Sequence, residues 1–165
     1  MPKKTRWHEL VKKVLKDIGE RRGYDVSESE KEMLFTKKFP MYVGDKRKKH
    51  TLAYKPDVVW KKGHRYQAVF EVEYVNPNRI TQTTSKRKYA VGSLMLSYLA
   101  MINKSFEHLV FITNSENLCN EIAKYLKIAE IKYSEENIHW MLIPVITRSS
   151  ITKNLENFLI KQEKI

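Results

Sequence analysis

The chain predicts an α/β protein, with a mixed central sheet made of a strand meander plus a βαβ unit and flanked by helices. Three observations lead there. Trp7, Leu10, Val11, Val14, Leu15 and Ile18 recur at the period of a helix with one buried stripe. Two apolar-rich runs, Lys55–Trp60 and Arg65–Val75, are parted by Lys61-Lys62-Gly63-His64, as in two antiparallel strands joined by a hairpin. Farther on, Leu109–Thr113 and Trp140–Ile146 are continuous apolar runs on either side of a helical pattern, as expected of strands covered on both faces.

The elements follow in chain order. Thr5 is placed to cap the first helix, and Gly19 and Gly23 to end it. Tyr24–Glu32 is polar and reads as a surface loop or an extra helical turn. Met33–Val43 reads as extended, with Pro40 confining it to an edge or a bend. The run Asp45-Lys46-Arg47-Lys48-Lys49-His50 reads as a basic loop leading into the strand that carries Asp57. After Asn76-Pro77-Asn78 a long helix is expected over about residues 80–102. Its first half is polar and basic, and its second half is apolar nearly all round and so buried against the sheet. Ser115 opens a helix with Leu118, Ile122, Tyr125 and Leu126 on one side. Pro144 argues for an edge or a bulge in the last strand, and Thr152 is placed to cap a final helix carrying Leu155, Phe158 and Leu159.

A length of 165 residues fits one domain, with a core over about 5–114 and a C-terminal strand and helices over 115–165. Thirty-one Lys and Arg against nineteen Asp and Glu give a formal charge of +12, which points to a polyanionic partner, nucleic acid first. No long apolar run or amphipathic basic helix supports a membrane partner. A lone cysteine, Cys119, excludes an intrachain disulfide and reads as a core filler, and no Cys/His cluster has zinc spacing. The five histidines are scattered. A basic start without the apolar stretch of a secretion signal fits a cytoplasmic protein.

One strand is chemically unusual. Residues two apart on a strand share a face, so Glu71 and Glu73 point the same way as Val69 and Val75, while Phe70, Val72 and Tyr74 take the other face. Asp57 lies fourteen residues before Glu71. A loop centred near His64 sets it directly opposite Glu71 on the same face, whereas a tight turn at Lys62-Gly63 pairs it with Ala68 instead. Three acids so crowded repel one another unless a cation lies between them, and hard divalent ions suit such oxygen donors.

Pro56-Asp57, a hairpin, then Glu71-x-Glu73 resembles the signature of the PD-(D/E)XK nuclease superfamily, an Asp near the start of one strand and (Asp/Glu)-x-Lys on its neighbour. The helix, meander, helix and strand order resembles that of the superfamily core from about residue 5 to residue 114. The resemblance implies a restriction-endonuclease-like fold and hydrolysis of phosphodiester bonds in DNA with Mg2+ or Mn2+. It implies metal binding by Asp57, Glu71 and the main-chain carbonyl of Val72, with Glu9 on the first helix reaching the same ion. Glu73 stands where the motif has lysine. Some members of the superfamily carry glutamate there, and in others the lysine has moved to the following helix, where Lys86 and Lys88 are the candidates. Lys46, Arg47, Lys48, Lys49, Arg79, Gln82, Lys86 and Arg87 are the expected nucleic-acid contacts. The rival reading is a non-catalytic nucleic-acid-binding or assembly module on the same fold. RNA in place of DNA leaves no distinguishing mark, and a homodimer suits an enzyme that cuts two strands.

Overall fold

The first helix, α1 (Lys3–Arg21), follows the apolar stripe. Trp7, Val11, Val14, Leu15 and Ile18 are all buried. The computed structural model describes residues 3–28, 35–43, 46–76, 91–101, 106–128, 137–161 and 165. After α1 come β1 (Asp25–Glu28), β2 (Phe35–Val43), β3 (Lys46–Tyr54), β4 (Val58–Lys62) and β5 (Arg65–Glu73). A helix α2 over 91–101, β6 (His108–Thr113), α3 (Glu116–Ile128), β7 (Ile138–Leu142) and α4 (Arg148–Lys161) complete the chain.

Five strands form one sheet in the order β1-β4-β5-β6-β7. The first three are antiparallel, and β5, β6 and β7 are parallel. This is the expected mixed sheet, and helices cover both of its faces. Val58, Trp60, Phe70, Val72 and Tyr74 share a core with α1 and α4, while Val59, Val69 and Val75 share one with α2 and α3. The alternation along β5 thus falls as its sequence predicts, with the strand lying between two apolar layers.

The hairpin between β4 and β5 contains the detail that sets the register. Lys62 pairs with Arg65 across Gly63-His64, and Gly63 takes φ +60°, a conformation that costs glycine little. Continued without interruption, that pairing would set Asp57 opposite Phe70. A β-bulge intervenes: Lys61 pairs with Tyr66 but Trp60 with Ala68, so Gln67 is extra. Beyond it Val58 faces Phe70 and Val59 faces Val69, each matched with the residue of its own core layer. The bulged Gln67 is held by a hydrogen bond from its Nε2 to Glu107 Oε2, 2.8 Å.

Several boundaries differ from expectation. Asp25–Glu28, in the stretch read as a loop, is the edge strand beside β4. Val26 is its one apolar residue, so composition hides it; pairing with β4 and packing beside Tyr24 and Trp60, whose rings stack at 5.2 Å, provide the stabilisation. Met33–Val43 does supply a strand, yet β2 pairs with β3 in a separate two-stranded sheet rather than bordering β4. The basic run read as a loop is β3 itself. Gly19 lies inside α1, and Gly23, at φ +81°, ends the helix. The helix begins at Lys3, ahead of Thr5. In α4 the start is Arg148, with the Thr147 hydroxyl donating to Ser150 Oγ at 2.8 Å; Thr152 sits one turn in and bonds back to the Arg148 carbonyl. Ser115 does cap α3, accepting from the Leu118 amide at 3.3 Å. The last strand ends at Leu142, before Pro144.

Among the described residues no helix is long and apolar enough to cross a membrane.

Candidate functional site

The site lies at the rim of the sheet where β4 begins and β5 ends, the end at which the parallel strands also finish. Ligands of open α/β sheets bind beyond the carboxyl ends of the strands. One more step of the β4–β5 register sets Asp57 opposite Glu71, the pairing a loop near His64 requires. A further step sets Pro56 opposite Val72. Proline has no N–H, so it has nothing to offer the Val72 carbonyl, which points toward β4 along with the Val72 amide. That amide donates instead to Asp57 Oδ2 at 2.9 Å. The Asp57 carboxylate therefore continues the ladder in place of a strand and is anchored at the residue separating the two glutamates.

The three carboxylates do not share one face. Glu71, 8% exposed, and Glu73, partly buried, lie on the α2 and α3 side by the alternation of β5. Asp57, in the bend before β4, turns its second oxygen toward α1, 3.4 Å from His8 Nε2. The one-face expectation holds for the glutamates and fails for Asp57, because a residue outside the ladder is not bound by its alternation. Among the described residues no group of three or more His, Cys, Asp and Glu side chains is arranged to hold a metal ion. The Asp57 and Glu71 carboxylates and the Val72 carbonyl, which lie level with one another at this rim, are hard oxygens, the kind Mg2+ and Mn2+ take.

His8 was not singled out by the sequence. Its other nitrogen, Nδ1, lies 3.3 Å from Glu9 Oε1, so the ring stands between two carboxylates. Only the imidazolium can donate from both nitrogens. Burial works against the charge on His8, but hydrogen bonding and charge attraction from Asp57, helped by Glu9, outweigh it and raise the pKa above 6.5. Glu9 itself is 58% exposed and joins the site through His8. Lys12, one turn farther along α1, is buried, and its charge opposes protonation of His8. Trp7 docks this end of the helix: its indole donates to the Val145 carbonyl at 3.1 Å and lies 5.8 Å from the Tyr74 ring.

No family model, curated protein or solved structure matches this chain.

Asn114, just after β6, is a second residue the sequence left unmarked. Its amide accepts from Val75 N at 2.7 Å and donates to Val75 O at 2.9 Å, clamping the chain two residues past Glu73. A polar amide directly after an apolar strand is the signal that marks it, whereas for His8 the nearest signal is adjacency to Glu9. Of the basic candidates, Lys46, Arg47, Lys48 and Lys49 lie at the turn end of β3, where Lys46 pairs with Val43; Tyr54, at the other end, leads through Lys55 and Pro56 to Asp57. They are thus about 17–27 Å along the strand from Tyr54, not draped over the acids as expected of a loop. Arg79, Gln82, Lys86, Arg87 and Lys88 lie outside the described residues.

Proposed function

We propose that this chain is a metal-dependent endonuclease hydrolysing phosphodiester bonds in DNA, a restriction-endonuclease-like enzyme of the PD-(D/E)XK type with Glu73 in place of the motif lysine. The observation that carries the reading is the register at the rim: beyond the bulge at Gln67 Val58 pairs with Phe70, so the bend with the Asp57 carboxylate lies level with the Glu71 carboxylate, and Pro56 offers no N–H to the Val72 carbonyl. Those two carboxylates and that carbonyl would hold Mg2+ or Mn2+, which supplies Lewis-acid neutralisation of charge and activates water. The Val72 amide and His8 orient Asp57, and the Asn114 clamp holds the strand end that presents Glu73. Glu73 accepts a hydrogen bond from the attacking water. The water oxygen bonds to phosphorus and gives up one proton to solvent, one P–O ester bond breaks, and the departing sugar oxygen takes a proton from solvent. Lys46, Arg47, Lys48 and Lys49, with Arg79, Gln82, Lys86 and Arg87, hold the DNA backbone, and two copies cut two strands.

Asp57→Ala and Glu71→Ala each lower cleavage of labelled DNA by at least about a hundredfold with Mg2+ while binding persists. Cleavage by either variant at the wild-type rate sinks the assignment.

A non-catalytic binding module is the second reading. It is favoured by the fact that both Asp57 oxygens already have partners within the protein. Calorimetric titration with Mn2+ separates the two: heat that disappears in Asp57→Ala supports the enzyme, and absence of binding supports the module.

A further inference from the structure

The two-stranded sheet of β2 and β3 has a charge pattern unlike the rest of the chain. Its strands are nine residues each, so the ribbon is about 30 Å long. They contain Lys37, Lys38, Lys46, Arg47, Lys48 and Lys49 and neither Asp nor Glu, six positive charges out of a net +12. Cross-strand partners share a face of a ribbon. The uninterrupted register therefore assigns Lys37, Lys46 and Lys48 to one face and Lys38, Arg47 and Lys49 to the other.

Three cations per face is not the pattern of a platform that rests on one phosphate backbone, which needs charge on a single side. It suits an element with phosphates on both sides, as in a groove. The major groove of B-form DNA is about 12 Å wide and admits a two-stranded ribbon. A ribbon of about 30 Å extends along nearly one turn of duplex. The deep, narrow major groove of A-form RNA does not admit it.

We infer that the β2–β3 ribbon inserts into the major groove of double-helical DNA and so selects B-form duplex as the substrate of the rim site. The duplex selectivity rests only on the reading that the polyanion is nucleic acid, while the word substrate rests on the proposed function of the rim site. Only Lys55, Pro56 and Asp57 separate β3 from β4, so seating the ribbon also fixes where the start of β4 lies relative to the duplex.

The test is fluorescence anisotropy in EDTA, so that cleavage plays no part. The probes are a fluorescein-labelled DNA duplex, its single strand, the RNA duplex of the same sequence, and the DNA duplex with glucosylated 5-hydroxymethylcytosine filling the major groove. The wild-type chain binds the plain DNA duplex roughly tenfold or more tightly than each of the others. Replacing Lys46, Arg47, Lys48 and Lys49 by Ala reduces the slope of log affinity against log salt by about two to four. Equal affinity for the glucosylated duplex, or competition by the minor-groove ligand netropsin, overturns the inference. Equal binding of the single strand or the RNA duplex does the same. The glucosylation result uses the unaltered chain, so a folding defect in the variant cannot mask it. Cleavage without groove sensitivity would retain the enzyme and discard the ribbon's role, and groove sensitivity without cleavage would do the reverse.

Discussion

Asp57 shows how one side chain serves structure and chemistry together. Its carboxylate completes a ladder that Pro56 cannot continue, and it draws a histidine from α1 to the rim. The charge on His8 has a consequence for stability. Its folded pKa lies above the unfolded 6.5, so the native state binds more protons than the unfolded one between those two values. The contribution is fully present below pH 6.5 and is lost as pH rises through the folded value. Urea unfolding in chelator should therefore show His8→Ala losing more stability below pH 6.5 than well above its folded pKa. A pH-independent deficit would refute the pairing. Cys119 behaves as the core filler it resembles: burial, with Glu116 nearby, pushes its thiol up to about 11.

Among the elements, α1 and β4 are joined at a point where no side chain fits. A Cβ on Gly19 would lie 2.6 Å from Trp60 Nε1 and 2.7 Å from Val26 Cγ2. Trp60 is fully buried and donates to the Leu15 carbonyl at 3.2 Å, so it has nowhere to retreat. Gly19→Ala improves helix propensity by about 1 kcal/mol, but the overlap and the strained hydrogen bond cost more. The variant is expected to be less stable by about 1–3 kcal/mol. In urea its midpoint falls at unchanged m-value; a raised midpoint contradicts the close approach. The sequence marked Gly19 as a helix stop, since a glycine in a helical pattern looks the same whether it ends the helix or admits a neighbour.

For the molecule as a whole, α4 belongs to the core rather than forming an appendage. Ile151, Leu155 and Leu159 are buried in the cluster that also holds Trp7, Phe70 and Val110. The ion pairs along the same contact, Arg21 to Glu156 and Arg148 to Asp17, are partly exposed and contribute at most about 1 kcal/mol each. Leu155→Ala should thus cost about 2–5 kcal/mol and Arg148→Ala under about 1 kcal/mol, both within one cooperative transition seen alike by circular dichroism and tryptophan fluorescence. Two separated transitions would divide the chain into two units.

Local periodicity was enough to reveal α1, the acidic strand, its two faces and the parallel strands, because the spacing of apolar residues records which side of an element is dry. It also made Asp57 opposite Glu71 one of two possible registers. The Gly63-His64 turn alone gives neither, setting Asp57 opposite Phe70; the bulge at Gln67 shifts the strand by one residue, so that β4 matches both core layers of β5 at once. The same dependence on distant partners explains why β1 looked like a loop, why a lysine run proved to be a strand, and why His8 went unnoticed until α1 was laid against the rim. Spacing along a chain reports burial, whereas pairing between segments is settled only when they meet.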